Sequence, residues 1–520
     1  MSGQAGLAMA ARPYLPRSPA GDYNLWMIAA IISIAPFMEV LDTTIATVSL
    51  THIAGSLAAS QEESTWILTS YLVSNSVILP ISGWLQQVIG RKRFYQMCLA
   101  AFVASSVGCA FSTSLSMMIV FRVLQGIGGG GLAPVTQSML ADSVVPEKRA
   151  QIFAVLGLTI VAAPAIGPLV GGWITDNLSW HWIFLINLPV GLLAGTLVAI
   201  FISEPPLLIE ERKQLLKTGL QLDYLGLLLV AVGFGCLQIF LDKFQEDDGF
   251  SSSFILTMFG IWVSALSLLA VWEWQHPQPV MNLRLLKYRN FGIGCVIMFM
   301  MAVVLYASTQ MLPQLTQSLL GYDSENAGDV LALGGLLTIA AMPVSGFICG
   351  RYVPAKLLLL GAFLEIGFAL FLQAGMTLDV TFNTIAWFRG LQVIAVPFVF
   401  VPITAMCYVG LPPKNNGEAS ALMNQMRNLG SSFGVSGIGT MLAWRIQFHH
   451  ARLAESITPY TSLHGMRASQ IAPLVQTQAV FMSYLDLFRI AGVVALLVVP
   501  IVLFLKSPPK PGAQGASVGH

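Results

Sequence analysis

The chain has 520 residues, of which 55% are hydrophobic and only 10% are charged, and its formal net charge at pH 7 is +1. Soluble domains carry about 25% charged residues, so this composition excludes a water-soluble globular protein and predicts an all-α membrane protein. The near-zero net charge and the lack of a basic block in the sequence argue against nucleic-acid binding.

The predicted elements, in chain order, are fourteen apolar stretches, each long enough to cross the hydrocarbon core as a helix of about 20 residues. They lie near residues 25–49, 66–88, 94–112, 115–140, 150–174, 182–202, 220–240, 254–274, 291–319, 327–350, 355–375, 386–408, 418–444 and 485–505. Residues 1–24 precede them as a tail without the apolar core of a cleavable signal, and residues 506–520 follow as a second tail. All six cysteines lie in apolar runs, which predicts reduced packing residues and neither a disulfide framework nor a metal site.

Lys and Arg residues are distributed unevenly between the predicted loops. With the N-terminus inside, eighteen of them lie in inner loops and tails, and only four lie in outer loops. Because cytoplasmic loops retain an excess of positive residues, this bias predicts that both termini are cytoplasmic.

A short phrase occurs twice in the chain, 267 residues apart: residues 121–125 read FRVLQ and residues 388–392 read FRGLQ. The two copies fall in predicted spans 4 and 12. A second pair, LPISGW at 79–84 and MPVSGF at 342–347, lies about 40 residues upstream of each copy. Internal repeats of this kind are typical of membrane transporters, and they predict two six-helix bundles related by a parallel repeat.

The repeat divides the chain into segments. We expect the N-terminal six-helix bundle at 25–202 and the C-terminal bundle at 291–505. Between them we expect an amphipathic cytoplasmic linker at 203–219 and two inserted transmembrane helices at 220–274. The C-terminal bundle includes the one long outer loop, 446–484, and loops of that length are often functional.

Five motifs follow one another along the first half of the chain. They are VLDTTIA at 40–46, GWLQQVIGRK at 83–92, FRVLQG at 121–126, GPLVGG at 167–172 and WHWIFLINLP at 180–189. In order and spacing they resemble the major facilitator superfamily, specifically its fourteen-span drug:proton antiporters, and the resemblance extends over essentially the whole chain. It implies the major facilitator fold, with fourteen transmembrane helices, and export by alternating access. It also implies gating or hinge roles for Gly90, Arg91, Pro164, Gly167, Pro168, Gly171 and Gly172.

Residues beside the predicted outer loop extend this resemblance. Trp444-Arg445 and the segment HHARLAES at 449–456 are similar to the outer loop of those family members that serve as inner-membrane components of tripartite efflux pumps in Gram-negative bacteria. The similarity implies a bacterial inner-membrane location and docking of a periplasmic membrane-fusion adaptor, which would connect to an outer-membrane channel. Arg445, His449 and His450 are the expected docking residues, with a solvated loop as the alternative for the two histidines.

Ionisable residues inside the predicted spans are unfavourable in lipid and usually functional. Glu39 and Asp42 in span 1 are three positions apart and therefore share one helix face. Arg122 in span 4 lies at about the same depth as Asp42, and Gln125 shares its face. We expect Asp42 to be the main proton carrier, Glu39 its partner and Arg122 the switch; a fixed structural ion pair is the alternative.

The residues expected to line a central substrate cavity lie on spans 1, 2, 4, 9 and 13. They are Phe37, Met38, Tyr71, Asn75, Gln125, Tyr306, Gln310, Asn424 and Arg427. Arg389, the repeat counterpart of Arg122, is equally consistent with a side chain that extends to the outer boundary. A contact between Glu365 and Arg427 stays open.

The sequence carries no P-loop, no nucleophile–base pair and no metal-ligand cluster, so an enzyme is not predicted and no cofactor is expected. The function predicted is proton-driven multidrug efflux of hydrophobic drugs or toxic organic compounds. One alternative is a proton-coupled exporter of a single endogenous compound, such as a fatty acid, a siderophore or a metabolite. A non-transporting membrane sensor is the alternative from another functional class.

Overall fold

The fold was described from a computed structural model, for residues 25–144, 148–217, 223–247, 249–322, 324–456 and 468–506. Within these ranges the chain is helical apart from turns, bends and one isolated bridge between Cys349 and Val353. The predicted fold class, an all-α membrane protein, is confirmed.

Eighteen α-helices lie in the described part of the chain. They are α1 (Leu25–Val48), α2 (Leu50–Ser56), α3 (Gln61–Ile89), α4 (Arg91–Ala110), α5 (Leu115–Ser143), α6 (Arg149–Asn177), α7 (His181–Leu185), α8 (Asn187–Phe201), α9 (Pro206–Lys217), α10 (Tyr224–Lys243), α11 (Ser253–Gln275), α12 (Arg289–Leu319), α13 (Ser324–Ile348), α14 (Ala355–Gln373), α15 (Phe382–Ile394), α16 (Val396–Cys407), α17 (Asn416–Ser456) and α18 (Ala468–Leu503).

Eleven helical segments are long and apolar enough to cross a membrane; two of them are the consecutive pairs α7–α8 and α15–α16. The helices α4, α6 and α17 also have crossing length, with 20, 29 and 41 residues. Together these segments coincide with the fourteen predicted spans. Helix α9 occupies most of the predicted linker 203–219.

The predicted outer loop 446–484 is helical in both of its described parts. Helix α17 continues to Ser456 and α18 already begins at Ala468, while residues 457–467 lie outside the described residues. The prediction ended both helices where the apolar run ended. A helix, however, continues into water wherever its residues favour it, and 446–456 contains neither Gly nor Pro.

Glycines in α5 set how closely the helices of the N-terminal half pack. A Cβ added at Gly126 would lie 2.5 Å from the carbonyl oxygen of Tyr71 on α3, and one at Gly130 would lie 2.8 Å from the carbonyl of Asn75. On the adjacent face, a Cβ at Gly128 would lie 2.6 Å from the backbone nitrogen of Phe102 on α4. Such small residues let membrane helices approach backbone to backbone.

The inserted helix α10 contacts both halves of the molecule. Asp242 near its end accepts a hydrogen bond from Thr69 on α3. Four residues earlier, Gln238 accepts one from Ser432 on α17 at 3.1 Å. The insert therefore packs along the line where a helix of the first half meets a helix of the second.

The two halves are held together at one face of the molecule, which we call the termini face because it carries the ends of α3, α5 and α18 and the starts of α4 and α17. Gln87 donates to Glu418 at 2.8 Å, and Asn416 donates to Asp142 at 2.8 Å. At Gly83 an added Cβ would lie 2.7 Å from the Cα of Glu418. No side chain fits there, so the two backbones close this face directly.

Replacing Gly126 with Ala is expected to destabilise the protein by about 1–3 kcal/mol, because the new methyl group meets the backbone of α3. A thermal unfolding assay on purified protein should show a lower melting temperature. Gly260→Ala on α11 is the matched control, since nothing lies within 4 Å of its Cβ position. Equal melting temperatures for the two variants would contradict the close approach.

Asn424→Ala is expected to loosen the termini face, because buried Asn424 on α17 donates to Gln137 of α5 at 2.5 Å. Hydrogen–deuterium exchange should show faster uptake at the end of α3 and the start of α17. The control is Asn177→Ala, whose amide donates to the carbonyl of Trp173 in its own helix at 2.9 Å and makes no hydrogen bond to the other half among the described residues. Wild-type uptake in the Asn424 variant would show that this contact does not hold the halves together.

Candidate functional site

The centre of the N-terminal half is a buried ion pair between Asp42 of α1 and Arg122 of α5. Arg122 is fully buried and Asp42 is 3% exposed, and the guanidinium Nη1 lies 2.9 Å from Asp42 Oδ2. The same Nη1 donates to Gln125 Oε1 at 2.8 Å, and Gln125 Nε2 donates to Asp42 Oδ1 at 3.0 Å. The three side chains thus form a closed ring of hydrogen bonds, and the predicted meeting of Asp42 with Arg122 is present.

Asn187, at the start of α8, is a member of this network that the sequence reasoning missed. Its Nδ2 donates to Asp42 Oδ1 at 2.6 Å and also contacts Ser106 Oγ at 2.9 Å. The signal was present, because Asn187 is a polar residue inside the apolar WHWIFLINLP motif at 180–189. That motif was used only to identify the family branch.

Aromatic rings and one carbonyl hold the Arg122 guanidinium in place. Its Nε donates to the carbonyl of Ile67 at 3.1 Å, and its Cζ lies 5.0 Å from the ring centre of Tyr71 and 5.4 Å from that of Phe184. The remaining nitrogen, Nη2, is buried without a hydrogen-bond partner among the described residues. Arg122 thus has one donor left for a different arrangement.

Glu39, one helical turn before Asp42, lies beside a second group of polar side chains. Asn75 Nδ2 donates to Glu39 Oε1 at 3.0 Å and Tyr71 Oη donates to the same oxygen at 3.3 Å. The charge of Arg427 on α17 also acts on Glu39. Glu39 therefore interacts with a cation of the other half, whereas Asp42 pairs within its own half.

A cavity of about 140 Å³ lies mainly among residues of the C-terminal half, with Gly157 and Pro164 of α6 contributing part of its wall. Its polar lining comes mainly from Tyr306, Thr309, Thr338, Arg389 and Arg427, and the rest of the wall is apolar. Of the residues expected to line a cavity, Tyr306 and Arg427 line this one.

The other expected cavity residues lie elsewhere. Met38 is buried in the core, and Gln125 belongs to the Asp42 network. Asn424 joins the halves at the termini face and does not line this cavity. Tyr71 and Asn75 bind Glu39, Phe37 is half-buried and Gln310 is exposed.

Arg389 is buried among polar side chains of the C-terminal half. It is only 5% exposed, and its guanidinium donates to Ser308 at 3.0 Å, to Gln392 at 2.9 Å and to Thr309 at 2.6 Å. A contact between Glu365 and Arg427, which the sequence left open, is not among the ion pairs of the described residues.

The expected hinge residues fall into two places. On α6, a Cβ at Gly167 would lie 2.7 Å from Thr44 and one at Gly171 would lie 3.0 Å from Ile45, so these two glycines allow α6 to pack on α1. Pro164 on the same helix lines the cavity, whereas a Cβ at Gly172 would meet nothing within 4 Å. The side chain of Pro168 lies outside the described residues.

At the termini face, Gly90 separates α3 from α4 with a φ of 94°, a left-handed conformation that favours glycine. The next residue, Arg91, forms a buried ion pair with Asp142 of α5. Asp142 in turn accepts from Asn416 of the other half. The expected gating residues Gly90 and Arg91 therefore lie beside the contact that closes this face.

At the opposite face, Asp486 of α18 collects three basic side chains. Its Oδ2 accepts from Arg445 Nε at 2.9 Å and contacts His449 Nε2 at 2.6 Å, and its Oδ1 accepts from Arg489 at 3.2 Å. Arg445 and His449 thus bind α17 to α18 within the chain. His450, the third expected docking residue, is exposed.

Comparison with known proteins places this geometry in a family. The model of the Major Facilitator Superfamily matches residues 32–435. The chain is 34% identical to the Multidrug export protein EmrB of Escherichia coli (strain K12), over 96% of this chain and 99% of the relative. It is 33% identical to the Fatty acid resistance protein FarB of Neisseria gonorrhoeae, over 93% and 96%.

Solved structures show the same fold at low sequence identity. The proton:xylose symporter XylE is 14% identical, with a TM-score of 0.62 over 93% of this chain and 96% of that one. The human organic anion transporter MFSD10 is 15% identical, with a TM-score of 0.58 over 91% and 100%. The chain therefore belongs to the Major Facilitator Superfamily and is a multi-pass membrane transporter, not an enzyme.

Proposed function

We propose that the protein is a proton-driven multidrug efflux antiporter that exports hydrophobic drugs or toxic organic compounds by alternating access. The observation that carries the proposal is the buried carboxylate of Asp42, which accepts hydrogen bonds from Arg122, Gln125 and Asn187. An ionisable side chain inside a membrane bundle is unfavourable and marks ion pathways and proton relays. Similarity to a multidrug export protein over nearly the whole chain supports the range of compounds.

Proton binding at Asp42 changes the charge balance of the network. While Asp42 is ionised, its charge compensates that of Arg122. Protonation removes the negative charge and leaves a buried guanidinium without a counter-charge, a state that is strongly unfavourable. The unused Nη2 donor of Arg122 then favours a new partner, and the rearrangement of α5 against α1 is the proposed switch between outward-facing and inward-facing states.

Glu39 is the proposed second proton site, and it connects the switch to the other half. Protonating Glu39 would release Arg427 from its electrostatic interaction with that carboxylate. Because Arg427 lines the cavity, the protonation state of the first half would thereby change the charge that a substrate meets in the second half.

The domain boundaries and the orientation complete the proposal. Two bundles at 25–202 and 291–505 would move against each other, with α6 and its glycines 167 and 171 as the hinge. The excess of Lys and Arg in the inner loops supports a cytoplasmic location for the termini face in a bacterial inner membrane. The contacts that close this face then correspond to an outward-facing state.

Asp42→Asn is expected to abolish proton-coupled efflux while the protein still inserts, because the amide cannot exchange a proton. The measurement is substrate-driven proton movement in proteoliposomes together with resistance of a pump-deleted host. Asp379→Asn is the matched control, since Asp379 is exposed in the loop before α15. Normal resistance in the Asp42 variant would refute the assignment of the proton carrier.

Export of one endogenous compound is the second candidate function. It is favoured by similarity to a relative named for fatty acid resistance, which matches at 33% identity. A resistance panel of chemically unrelated compounds in a pump-deleted host separates the two candidates. Protection against a single compound supports this second function, whereas protection against several supports multidrug efflux.

A periplasmic adaptor protein and an outer-membrane channel are the proposed partners. The end of the predicted span and the extension of α17 beyond it carry the exposed residues Trp444, Phe448 and His450 on the face opposite the termini. Aromatic residues at an exposed helix surface are typical of protein interfaces. Arg445 and His449 support this surface through Asp486 rather than contacting a partner themselves.

Replacing both Trp444 and His450 with Ala is expected to reduce copurification of the adaptor several-fold, because the exposed ring and imidazole are removed without disturbing Asp486. Copurification after chemical cross-linking in the native host is the measurement. Trp387→Ala, which removes another exposed indole, serves as the control. Unchanged cross-linking in the double variant would place the adaptor elsewhere or exclude it.

A further inference from the structure

The C-terminal half repeats the arginine–glutamine pair of the N-terminal half but not its acid. Arg389 donates to Gln392 at 2.9 Å, as Arg122 donates to Gln125 at 2.8 Å. The same 267-residue offset that relates the two arginines places Thr309 at the position of Asp42. Thr309 accepts from Arg389 at 2.6 Å, so a neutral hydroxyl occupies the place of the carboxylate.

Hydroxyl and amide oxygens satisfy the hydrogen bonds of Arg389 but not its charge. None of the ion pairs formed by the described residues includes Arg389. The side chain is 5% exposed, and a buried charge without a partner is strongly unfavourable. The arrangement is therefore incomplete until an anion reaches the guanidinium.

Arg389 lines the cavity described above, so a ligand in that space can reach its side chain. Arg427 lines the same space, and no hydrogen bond or ion pair of the described residues involves it beyond its electrostatic interaction with Glu39. The cavity of about 140 Å³ is far larger than the roughly 10–15 Å³ that one water requires.

The remaining wall suits a hydrocarbon chain. Met301, Leu305, Leu331, Val396 and Phe400 surround the two cations with flexible and aromatic side chains. Methionine and aromatic side chains adapt to apolar ligands of different shape. The cavity thus combines two cationic side chains with a largely apolar wall.

We propose that this cavity is a binding site for single-chain amphipathic carboxylic acids, with Arg389 binding the carboxylate, Arg427 adding positive charge and the apolar wall holding the chain. The proposal rests on the proposed transport function and specifies a substrate class and its site. A carboxylate matches the planar guanidinium fork better than a neutral or cationic head group.

The test compares three eight-carbon ligands that differ only in head group: octanoate, octyltrimethylammonium and 1-octanol. Binding to the purified full-length protein in lipid nanodiscs is measured by isothermal titration calorimetry without a proton gradient. We expect octanoate to bind at least roughly tenfold more tightly than the other two, because only it forms a charge-assisted pair with Arg389. Comparable affinity for all three, or preference for the cation, overturns the proposal on wild-type protein alone.

Arg389→Gln should weaken octanoate binding roughly tenfold to a hundredfold and leave 1-octanol binding unchanged. Arg389→Lys, which keeps the charge without the planar fork, should lie between this variant and the wild type. Arg351→Gln is the control, because Arg351 is exposed and stacks only on Phe347 and Tyr352. Undiminished octanoate affinity in folded Arg389→Gln protein contradicts the proposal.

Binding and transport fail separately. If octanoate binds as expected but no compound drives proton movement in proteoliposomes, the proposed antiport is wrong and the site stands. If proton-coupled export of other compounds is measured while octanoate shows no preference over the cation, the site is wrong and the transport function stands.

Discussion

The ion pair of Asp42 and Arg122 is the constraint on which the rest of the N-terminal half depends. Both side chains are buried in a bundle that carries few charges. Removing one partner of such a pair commonly costs about 3–5 kcal/mol, because the other charge stays buried alone. The surrounding residues lower the free-energy cost of burying the two charges. Gln125 and Asn187 donate hydrogen bonds to the carboxylate, and the Ile67 carbonyl and two aromatic rings face the guanidinium.

Holding that pair requires close and accurate helix packing. Gly126 and Gly130 bring α5 against α3, and Gly167 and Gly171 bring α6 against α1. Backbone approach of this kind requires glycines or other small residues at the contact. The same property appears where the halves meet, since Gly83 lies against the backbone of Glu418. The chain therefore combines a buried electrostatic centre with close backbone contacts between its halves.

Charge and spacing in the sequence were sufficient to place the centre of the site. Asp42 and Arg122 lie at matching depths in helices whose direction the loop charges predict, and only a few charges occur in the spans, so few pairings were available. Asn187 was not predicted as part of the site because it is uncharged. A neutral amide in an apolar run can find hydrogen-bond partners in many positions, so the sequence does not predict its partner. The contact between Glu365 and Arg427 stayed open in the sequence, since depth along a helix does not give the direction in which a side chain points.

Helix ends and the positions of neutral polar residues were harder to predict, because both depend on contacts with other helices. The apolar run of α17 ends well before Ser456, yet the helix continues, because the Asp486 cluster binds its polar extension to α18. Asn424 and Arg427 are three residues apart and share a face of α17. Arg427 lines the cavity, whereas Asn424, about one turn earlier, contacts the other half of the molecule. These outcomes depend on tertiary contacts that one helix does not reveal.

The two halves carry complementary chemistry on one repeated plan. The first half keeps the acid beside its arginine, and the second replaces it with Thr309, so an arginine there has no internal counter-charge among the described residues. If a proton is the ligand of the first half and an anion that of the second, Glu39 and Arg427 are the link between them. Protonating Glu39 would make Arg427 available to an anion, and an anion bound to Arg427 would in turn make Glu39 easier to protonate. By linkage, a proton on Glu39 and an anion on Arg427 would then favour each other's binding. The state with both ligands bound would be the most stable one. An antiporter must prevent their joint passage, so the transition that carries the proton inward has to be one in which the anion has already left Arg389 for the open side.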